Sequence, residues 1–141
     1  MIVCYLDSSV LLRDILAQPG RMSLDGLNGR ALTSELAFVE CRRVLDRIRL
    51  LGKIPVPDLQ IRRERLDHLN AALIIKPLDQ AALMRASDPM DWPLGTLDAI
   101  HLATALNWRD EHGEAVDFAT HDIALAQAAR QYGCRVLGVG N

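Results

Sequence analysis

The chain has 141 residues, of which 50% are hydrophobic, and its formal net charge at pH 7 is −2. This length suits one domain with a buried core and is too short for two, so we expect a single domain over residues 1–141. A charge this close to zero gives no overall signal for nucleic-acid binding. No apolar run approaches the roughly 18 residues that a membrane-spanning helix needs.

The cysteines indicate a reducing environment. Cys4, Cys41 and Cys134 are odd in number, far apart and each within an apolar run, which suits reduced core thiols better than a disulfide framework. The four histidines show no paired spacing with these cysteines, so a structural zinc site is not expected. The first residues lack the basic segment and long apolar stretch of a signal peptide. We therefore expect a cytoplasmic protein without membrane attachment.

The hydrophobic pattern predicts strands that alternate with helices. The predicted strands are residues 2–6, 31–33, 73–78, 116–119 and 135–139, of which the first is typical of a strand buried on both faces. The predicted helices are residues 10–17, 35–51, 58–72, 80–86, 96–108 and 123–132, and residues 21–30 are predicted to form a loop. This order predicts a three-layer α/β sandwich with a mostly parallel central sheet flanked by helices.

Cap residues mark the ends of the first two helices. Ser8 or Ser9 is predicted to cap the first helix, and Ser34 is predicted to cap the second. Gly52 stands where a left-handed C-cap would end the second helix. No strand separates the second helix from the third, so we expect this helical pair to protrude from the sandwich.

Two aspartates follow predicted strands. Asp7 comes directly after the first strand, and Asp122 comes shortly after the strand 116–119. Ligands of open parallel sheets bind at the carboxyl edge of the strands, where loops and helix N-termini converge. Each aspartate also suits a helix N-cap, which is the simpler explanation for either one alone.

Glu40 is the most informative carboxylate, because it is predicted to lie on an apolar stripe of its helix. That stripe is formed at three-to-four spacing by Ala37, Cys41, Val44, Ile48 and Leu51. A carboxylate on a buried stripe costs on the order of several kcal/mol unless it is compensated. Two explanations remain open from the sequence: an ion pair with a buried arginine, or a cation held jointly with other carboxylates.

Asp98 lies in the first turn of the helix 96–108, where the helix dipole stabilises acidic residues for purely structural reasons. It is also in register with an apolar face formed by Leu102, Ala105 and Leu106. Asp98 is therefore predicted to point inward. It would point towards the edge of the sheet at which the strands before Asp7 and Asp122 end.

All four carboxylates are predicted to reach one pocket, and we call them the acidic quartet: Asp7, Glu40, Asp98 and Asp122. Clustered carboxylates repel one another unless a divalent cation neutralises them. Ligand sets made only of oxygen select Mg²⁺ or Mn²⁺. Such ions lower the pKa of a bound water and neutralise the leaving oxygen of a phosphodiester. The acidic quartet therefore predicts a metal-dependent nuclease.

Four stretches of the chain resemble the acidic motifs of the PIN domain, specifically those of VapC-type toxins of bacterial toxin-antitoxin pairs. In order, they are residues 6–12 (LDSSVLL), 34–40 (SELAFVE), 97–105 (LDAIHLATA) and 118–122 (FATHD). The resemblance implies that the acidic quartet is catalytic and binds metal, with Asp7 and Asp98 as direct ligands. It implies that Ser9 and Thr120 position acidic side chains or water. His121 stands where a small or amide residue is frequent, which leaves open whether Asp122 binds metal directly.

The resemblance implies that the protein is a Mg²⁺- or Mn²⁺-dependent endoribonuclease that cuts structured RNA, often tRNA or ribosomal RNA. It also implies a cognate antitoxin whose C-terminal segment occupies the active-site groove, and a homodimer.

The predicted helical pair has a basic segment. Residues 42–65 contain eight basic and three acidic side chains, a local net charge of +5. Arg42, Arg43 and Arg47 are the candidate RNA-binding residues, because a phosphate backbone held near an acidic pocket needs a basic flank. The alternative is that these arginines belong to solvated faces of exposed helices, and spacing does not decide between the two.

Other classes of protein remain open. A Mg²⁺-dependent phosphatase or phospho-acceptor domain has an Asp after its first strand, but it also needs a second Asp where this chain has Ser9, or a late lysine. The only lysines here are Lys53 and Lys76. A PIN-like module that binds RNA or protein without cutting has no reason to keep four buried like charges together, and a PIN-domain RNA-processing nuclease would differ only in its biological context.

Overall fold

The structure is a computed structural model that describes residues 2–27 and 30–139. Within these residues the strands are β1 (Ile2–Leu6), β2 (Ala31–Ser34), β3 (Ile74–Lys76), β4 (Ala115–Ala119) and β5 (Val136–Leu137). The α-helices are α1 (Ser8–Ile15), α2 (Glu35–Leu51), α3 (Val56–Ala72), α4 (Gln80–Ser87), α5 (Thr96–His112) and α6 (Ile123–Gln131). The predicted loop 21–30 contains a short 3-10 helix at Asp25–Leu27, and Gly29 of that loop lies outside the described residues.

The strands form one sheet in the order β3-β2-β1-β4-β5, and every neighbouring pair is parallel. Tyr5 of the central strand β1 is in register with Leu32 of β2 and Phe118 of β4. Helices pack on both faces of the sheet, so the predicted three-layer α/β sandwich is confirmed. Because all strands run the same way, the residues that follow β1 and β4 meet at one edge.

Alternate side chains of β1 enter two separate cores. Cys4 and Leu6 pack with α1, α2 and α3 on one face of the sheet, in what we call the first core. Val3 and Tyr5 pack with α5 and α6 on the other face, in the second core. All four side chains are buried, which confirms the prediction of a strand buried on both faces. This packing fixes the position of Asp7, the residue that follows β1.

The helical pair, α2 and α3, is packed at its base and exposed at its tip. The buried side chains of α3 are Leu59, Leu66 and Leu69, all within the first core. Arg65 of α3 forms a two-point ion pair with Asp14 of α1, with N to O distances of 2.6 and 3.0 Å. Near the connection between the helices, Leu50 and Val56 are 67% and 77% exposed. The pair therefore protrudes only at its tip.

The first helix begins earlier than predicted. Its N-cap is Asp7, whose carboxylate accepts a hydrogen bond from the N–H of Val10 at 3.1 Å. The prediction that Ser8 or Ser9 caps this helix is wrong, because Asp7 already has the extended backbone of a cap residue where the strand ends. The change matters for the site, since it gives Asp7 a structural role as well.

The three cysteines are buried free thiols. Burial, with the charge of neighbouring acids, raises the pKa of Cys4 and of Cys41 to about 12, so both thiols stay protonated at neutral pH. This environment agrees with the prediction of reduced core thiols. In the part of the chain that the structure describes, we find no helix with the length and apolar character needed to cross a bilayer.

Gly138 lies against the backbone at the end of β4. Its φ is 93°, and a Cβ at this position would lie 2.6 Å from the backbone oxygen of Thr120 and 3.1 Å from the Sδ atom of Met22. We expect Gly138→Ala to lower the free energy of unfolding by about 3 kcal/mol, because overpacking adds to the strain of a left-handed alanine. Urea denaturation followed by circular dichroism measures this loss.

Gly52→Ala is the matched control. Gly52 also has a left-handed φ, 63°, but no described atom lies within 4 Å of the position that its Cβ would take. This variant should lose only the conformational strain, about 1 kcal/mol. Equal losses in the two variants would contradict the view that the approach of Gly138 to Thr120 constrains the fold.

Candidate active site

Asp7 is the most constrained carboxylate of the acidic quartet, with 3% of the residue exposed. Its Oδ1 accepts hydrogen bonds from the Ser9 hydroxyl at 2.6 Å and from the N–H of Val10 at 3.1 Å. Its Oδ2 accepts a hydrogen bond from the Thr120 hydroxyl at 2.5 Å. A carboxylate offers about four lone-pair positions, so these three bonds leave about one for a further partner such as a cation.

Ser9 and Thr120 join Asp7 to the segment that follows β4. The Ser9 hydroxyl accepts a hydrogen bond from the N–H of His121 at 2.9 Å, and the Thr120 hydroxyl accepts one from the N–H of Asp122 at 3.0 Å. Each hydroxyl therefore donates to Asp7 and accepts from the backbone beyond β4. This pair of bridges ties Asp122 to the same edge of the sheet as Asp7.

Asp122 is exposed and caps α6. Its Oδ1 accepts a hydrogen bond from the N–H of Leu125 at 2.8 Å. The second carboxylate oxygen makes no hydrogen bond within the described residues, so Asp122 can cap the helix and still face the site.

Glu40 lies at the edge of the buried stripe of α2. The helix has the predicted ends, with Ser34 as its N-cap and Gly52 left-handed after its last residue. Its fully buried side chains are Ala37, Phe38, Cys41 and Leu45. Leu51, which we expected on this stripe, is 59% exposed. The expected stripe was wrong at this end because α3 packs on the Leu45 side of α2, which turns the buried face away from Leu51.

In the structure, a histidine and a serine form hydrogen bonds with the carboxylate of Glu40. Its Oε1 lies 2.6 Å from the Nε2 of His101, and its Oε2 accepts a hydrogen bond from the Ser8 hydroxyl at 3.1 Å. Among residues 2–27 and 30–139, no arginine pairs with Glu40, so the expected alternative of a buried arginine is wrong. The side chain of Glu40 is 21% exposed, which leaves it open to the site.

Asp98 is the carboxylate without a partner. It lies partly buried in the first turn of α5, and its side chain makes no hydrogen bond or ion pair with any described residue. Burial raises the pKa of Asp98, and the negative charges of Asp122, Asp7 and Glu40 raise it further, while His101 opposes them. The other three members of the acidic quartet are therefore close enough to act on Asp98 electrostatically.

The carboxylates do not form a finished coordination shell. Over residues 2–27 and 30–139, no three His, Cys, Asp or Glu side chains are placed so that they could hold one metal ion together. What favours a cation here is the chemistry of the donors: several oxygens of one charge, with no described lysine or arginine to neutralise them. The fit to Mg²⁺ or Mn²⁺ therefore rests on donor type and proximity.

The three arginines predicted to bind RNA lie on α2 but point in different directions. With 3.6 residues per turn, Arg47 lies within about 20° of Glu40 around the helix and about 10 Å further along it, whereas Arg42 lies on the far side. Arg43 forms an ion pair with Asp46 at 3.3 Å. Arg47 is exposed and has no ion pair within the described residues.

Sequence reasoning missed the side chains that hold Glu40. His101 is 1% exposed within α5, and its Nδ1 lies 2.6 Å from the hydroxyl oxygen of Tyr5. The available signal was a histidine inside the apolar run that follows Asp98, since a buried polar side chain requires a hydrogen-bonding partner. Tyr5, two residues before Asp7, gave a similar signal.

Two sequence comparisons match most of the chain. The family model that describes the PIN domain matches residues 4–131, a range that contains the whole acidic quartet. Ribonuclease VapC47 of Mycobacterium tuberculosis (strain CDC 1551 / Oshkosh) is 30% identical over 136 residues, which is 92% of this chain and 91% of that protein.

Solved structures with low sequence identity have the same fold. The crystal structure of PAE2754 from Pyrobaculum aerophilum has a TM-score of 0.65 and 14% identity, and the match covers 96% of this chain and 83% of that one. A chain of a toxin-antitoxin complex from Klebsiella pneumoniae has a TM-score of 0.63 and 16% identity, and the match covers 98% of this chain and 96% of that one. These likenesses concern the α/β sandwich alone.

We expect Asp98→Asn to stabilise the metal-free protein at pH 7. The folded-state pKa of Asp98 is raised, so ionising this carboxyl disfavours the folded state. The cost is absent below the ordinary Asp pKa of about 3.9 and grows as the pH rises through the raised folded-state value. Because the side chain is only partly buried, solvent screening keeps the gain below about 1 kcal/mol. Urea denaturation in EDTA between pH 4 and 8 measures it.

Asp46→Asn is a control for which the expected change in stability at pH 7 has the opposite sign. A hydrogen bond from Arg49 lowers the pKa of Asp46, so its ionised form stabilises the folded state, and that contribution is lost as the pH falls. Asp46→Asn should therefore never stabilise the protein at pH 7. If Asp98→Asn were as unfavourable as Asp46→Asn at neutral pH, the acidic quartet would not be under electrostatic strain.

Proposed function

The chain belongs to the PIN domain family, and from that premise we propose that it is an endoribonuclease that requires Mg²⁺ or Mn²⁺. Its substrate is structured RNA such as tRNA or ribosomal RNA. It acts as the toxic component of a toxin-antitoxin pair and is inhibited by a cognate antitoxin. A homodimer is the expected assembly.

The observation that carries this proposal is the unneutralised charge at the carboxyl edge of the sheet. Three acidic side chains from separate parts of the sandwich, Asp7, Glu40 and Asp122, act on Asp98, and no described lysine or arginine pairs with any of the four. Grouping like charges costs stability unless a ligand repays it. A divalent cation is the ligand that oxygen donors of this kind select.

Within the acidic quartet, Asp98 and Asp7 are the residues that would hold the ion. Asp98 has no competing partner, and Asp7 retains about one lone-pair position beside its three hydrogen bonds. When bound, a divalent ion supplies an activated water and neutralises charge on the leaving oxygen of the phosphodiester. One carboxylate oxygen of Asp122 has no described hydrogen-bond partner, and the Oε2 of Glu40 accepts only the bond from Ser8 at 3.1 Å, so both side chains are suited to orient or deprotonate that water.

Ser9 and Thr120 have a positioning role in this proposal. Both hydroxyls donate to Asp7 at 2.6 Å or less, so both oxygens of that carboxylate have fixed directions. Both also accept from the backbone beyond β4, which couples the orientation of Asp7 to the position of Asp122. Losing either hydroxyl would loosen two acidic residues at once.

The names of similar proteins support the biological part of the proposal. The relative in Mycobacterium tuberculosis is named a ribonuclease, and the similar Klebsiella pneumoniae chain comes from a toxin-antitoxin complex. An RNA substrate and an antitoxin partner are consistent with both names. The basic segment of α2 and α3 supplies the positive charge that an RNA backbone needs near an acidic pocket.

The purified protein should cut a mixed pool of tRNA and ribosomal RNA at discrete positions when Mg²⁺ or Mn²⁺ is present. Excess EDTA should abolish cutting. Asp98→Asn should slow it by more than roughly 100-fold, because losing a metal ligand costs more than the 10–100-fold typical of its outer partners. Gel electrophoresis with primer extension would map the cuts.

Asp91→Asn is the matched control, because Asp91 is an exposed loop aspartate outside the acidic quartet. It should cleave like the wild type. Intact RNA in every lane, from folded protein free of antitoxin, would contradict the nuclease proposal and favour a module that binds without cutting.

Among the basic residues, Arg47→Gln should weaken RNA binding most clearly. Arg47 lies on the Glu40 side of α2 and has no described ion pair, so its charge is available to a phosphate. We expect the slope of log K against log salt to fall by about 1 in this variant. Fluorescence anisotropy with labelled RNA, in an Asp98→Asn background that prevents cleavage, measures the slope.

Arg49→Gln controls for the loss of one positive charge on the same helix. Arg49 is bound to Asp46 at 2.9 Å and, nine residues after Glu40, lies on the opposite side of α2. The slope of log K against log salt for Arg49→Gln should stay close to that of the parent protein. Equal reductions of this slope in both variants would mean that RNA binding depends only on net charge. It would then not depend on the face of α2 that carries Glu40.

A further inference from the structure

A buried chain of hydrogen bonds leads from the central strand to Glu40. The hydroxyl oxygen of Tyr5 lies 2.6 Å from the Nδ1 of His101, and the Nε2 of His101 lies 2.6 Å from the Oε1 of Glu40. Tyr5 is fully buried and His101 is 1% exposed. This chain of hydrogen bonds therefore connects β1, which Asp7 follows, with α5, which carries Asp98, and with α2.

The chemistry of the three groups sets the direction of these hydrogen bonds. A carboxylate only accepts, so the Nε2 of His101 carries the hydrogen that is donated to Glu40. In the neutral imidazole the Nδ1 is then an acceptor, which matches the Tyr5 hydroxyl as donor. The Tyr5 hydroxyl, as a donor, is thus matched to the His101 tautomer that donates to Glu40.

The packing of the two rings holds this arrangement in place. The Tyr5 ring stacks on Phe118 with ring centroids 5.2 Å apart, and it meets the His101 ring edge to face at 5.8 Å. With Oε1 bound to His101 and Oε2 bound to Ser8, the Glu40 carboxylate is held at both oxygens. A flexible three-bond side chain is thereby fixed in one orientation at the edge of the site.

A purely structural role would not require this pattern. If Tyr5 and His101 only satisfied each other inside the second core, replacing both by apolar residues of similar shape would be nearly neutral. Here the polar chain runs out of the core and ends on a partly exposed acidic side chain. The outer hydrogen bonds of metal-site carboxylates act in this way, since they set the direction and basicity of the ligand.

We propose that Tyr5 and His101 are positioning residues that orient Glu40 for metal and water, an inference that rests on the proposed function. His101 supplies the donor, and Tyr5 fixes the tautomer in which that donor is present. Neither residue touches the substrate or the ion.

The test is Mn²⁺ binding by the full chain, followed as the loss of the free Mn²⁺ signal in electron paramagnetic resonance. The compared proteins are the wild type, Tyr5→Phe, His101→Gln, His101→Leu and Asp98→Asn. The matched control for the lost hydroxyl is Tyr132→Phe, since Tyr132 lies at the end of α6 and its hydroxyl makes no hydrogen bond in the described residues. Near-ultraviolet circular dichroism and thermal melts establish that each variant is folded.

We expect His101→Leu to weaken Mn²⁺ binding by about 10- to 100-fold, the range found for outer partners of metal ligands. His101→Gln should recover part of this loss, because its amide N–H can replace the Nε2 donor. Tyr5→Phe should weaken binding by about tenfold, and Tyr132→Phe should bind like the wild type. In ¹⁵N spectra of the wild type, the His101 ring should be in the Nε2–H tautomer, and that population should fall in Tyr5→Phe.

Different outcomes would contradict the positioning role of Tyr5 and His101 and the proposed function. Wild-type Mn²⁺ affinity in all three Tyr5 and His101 variants, alongside weak binding by Asp98→Asn, would overturn the positioning role and leave the proposed function intact. No Mn²⁺ binding by the folded wild type would overturn both. If His101→Leu does not fold, Tyr5→Phe and His101→Gln decide, because Tyr5→Phe removes one oxygen and leaves the ring packing unchanged.

Discussion

The hydrogen bonds to Asp7 are the constraint on which the rest of the molecule's functional edge depends. This one buried carboxylate ends the central strand, caps α1 through Val10, and binds the hydroxyls of Ser9 and Thr120. It thereby ties the start of α1 to Thr120, which is 113 residues from Asp7 in the chain. The group that anchors the carboxyl edge of the sheet is therefore also the group around which the other acidic side chains gather.

The members of the acidic quartet differ in how far the protein compensates them. Hydroxyls and backbone stabilise Asp7, a histidine and a serine stabilise Glu40, and a helix N-terminus stabilises Asp122. Asp98 has no hydrogen-bond or ion-pair partner among the described residues, and burial and the neighbouring carboxylates raise its pKa. A protein that only had to fold would have no reason to keep such a residue, and the proposed metal site would explain why Asp98 is retained.

The features that were predicted correctly depend on local interactions, and those that were predicted wrongly depend on contacts between elements. β1, both ends of α2 and the parallel sheet were predicted correctly, because short apolar runs, cap residues and alternation are local signals. The cap of α1 and the outer part of the α2 stripe were predicted wrongly. Each depended on a contact with another element: the end of β1 for the cap, and the packing of α3 for the stripe.

By itself, the sequence determined the fold class and the four acidic positions, since both follow from periodicity and from motifs a few residues long. Only the tertiary structure decided how those acids are held. Thr120 and Asp7 are 113 residues apart in the chain, and His101 and Glu40 are 61 residues apart. No spacing rule connects such pairs: the first contact exists only once β1 and β4 have paired, and the second only once α2 and α5 have packed on opposite faces of the sheet.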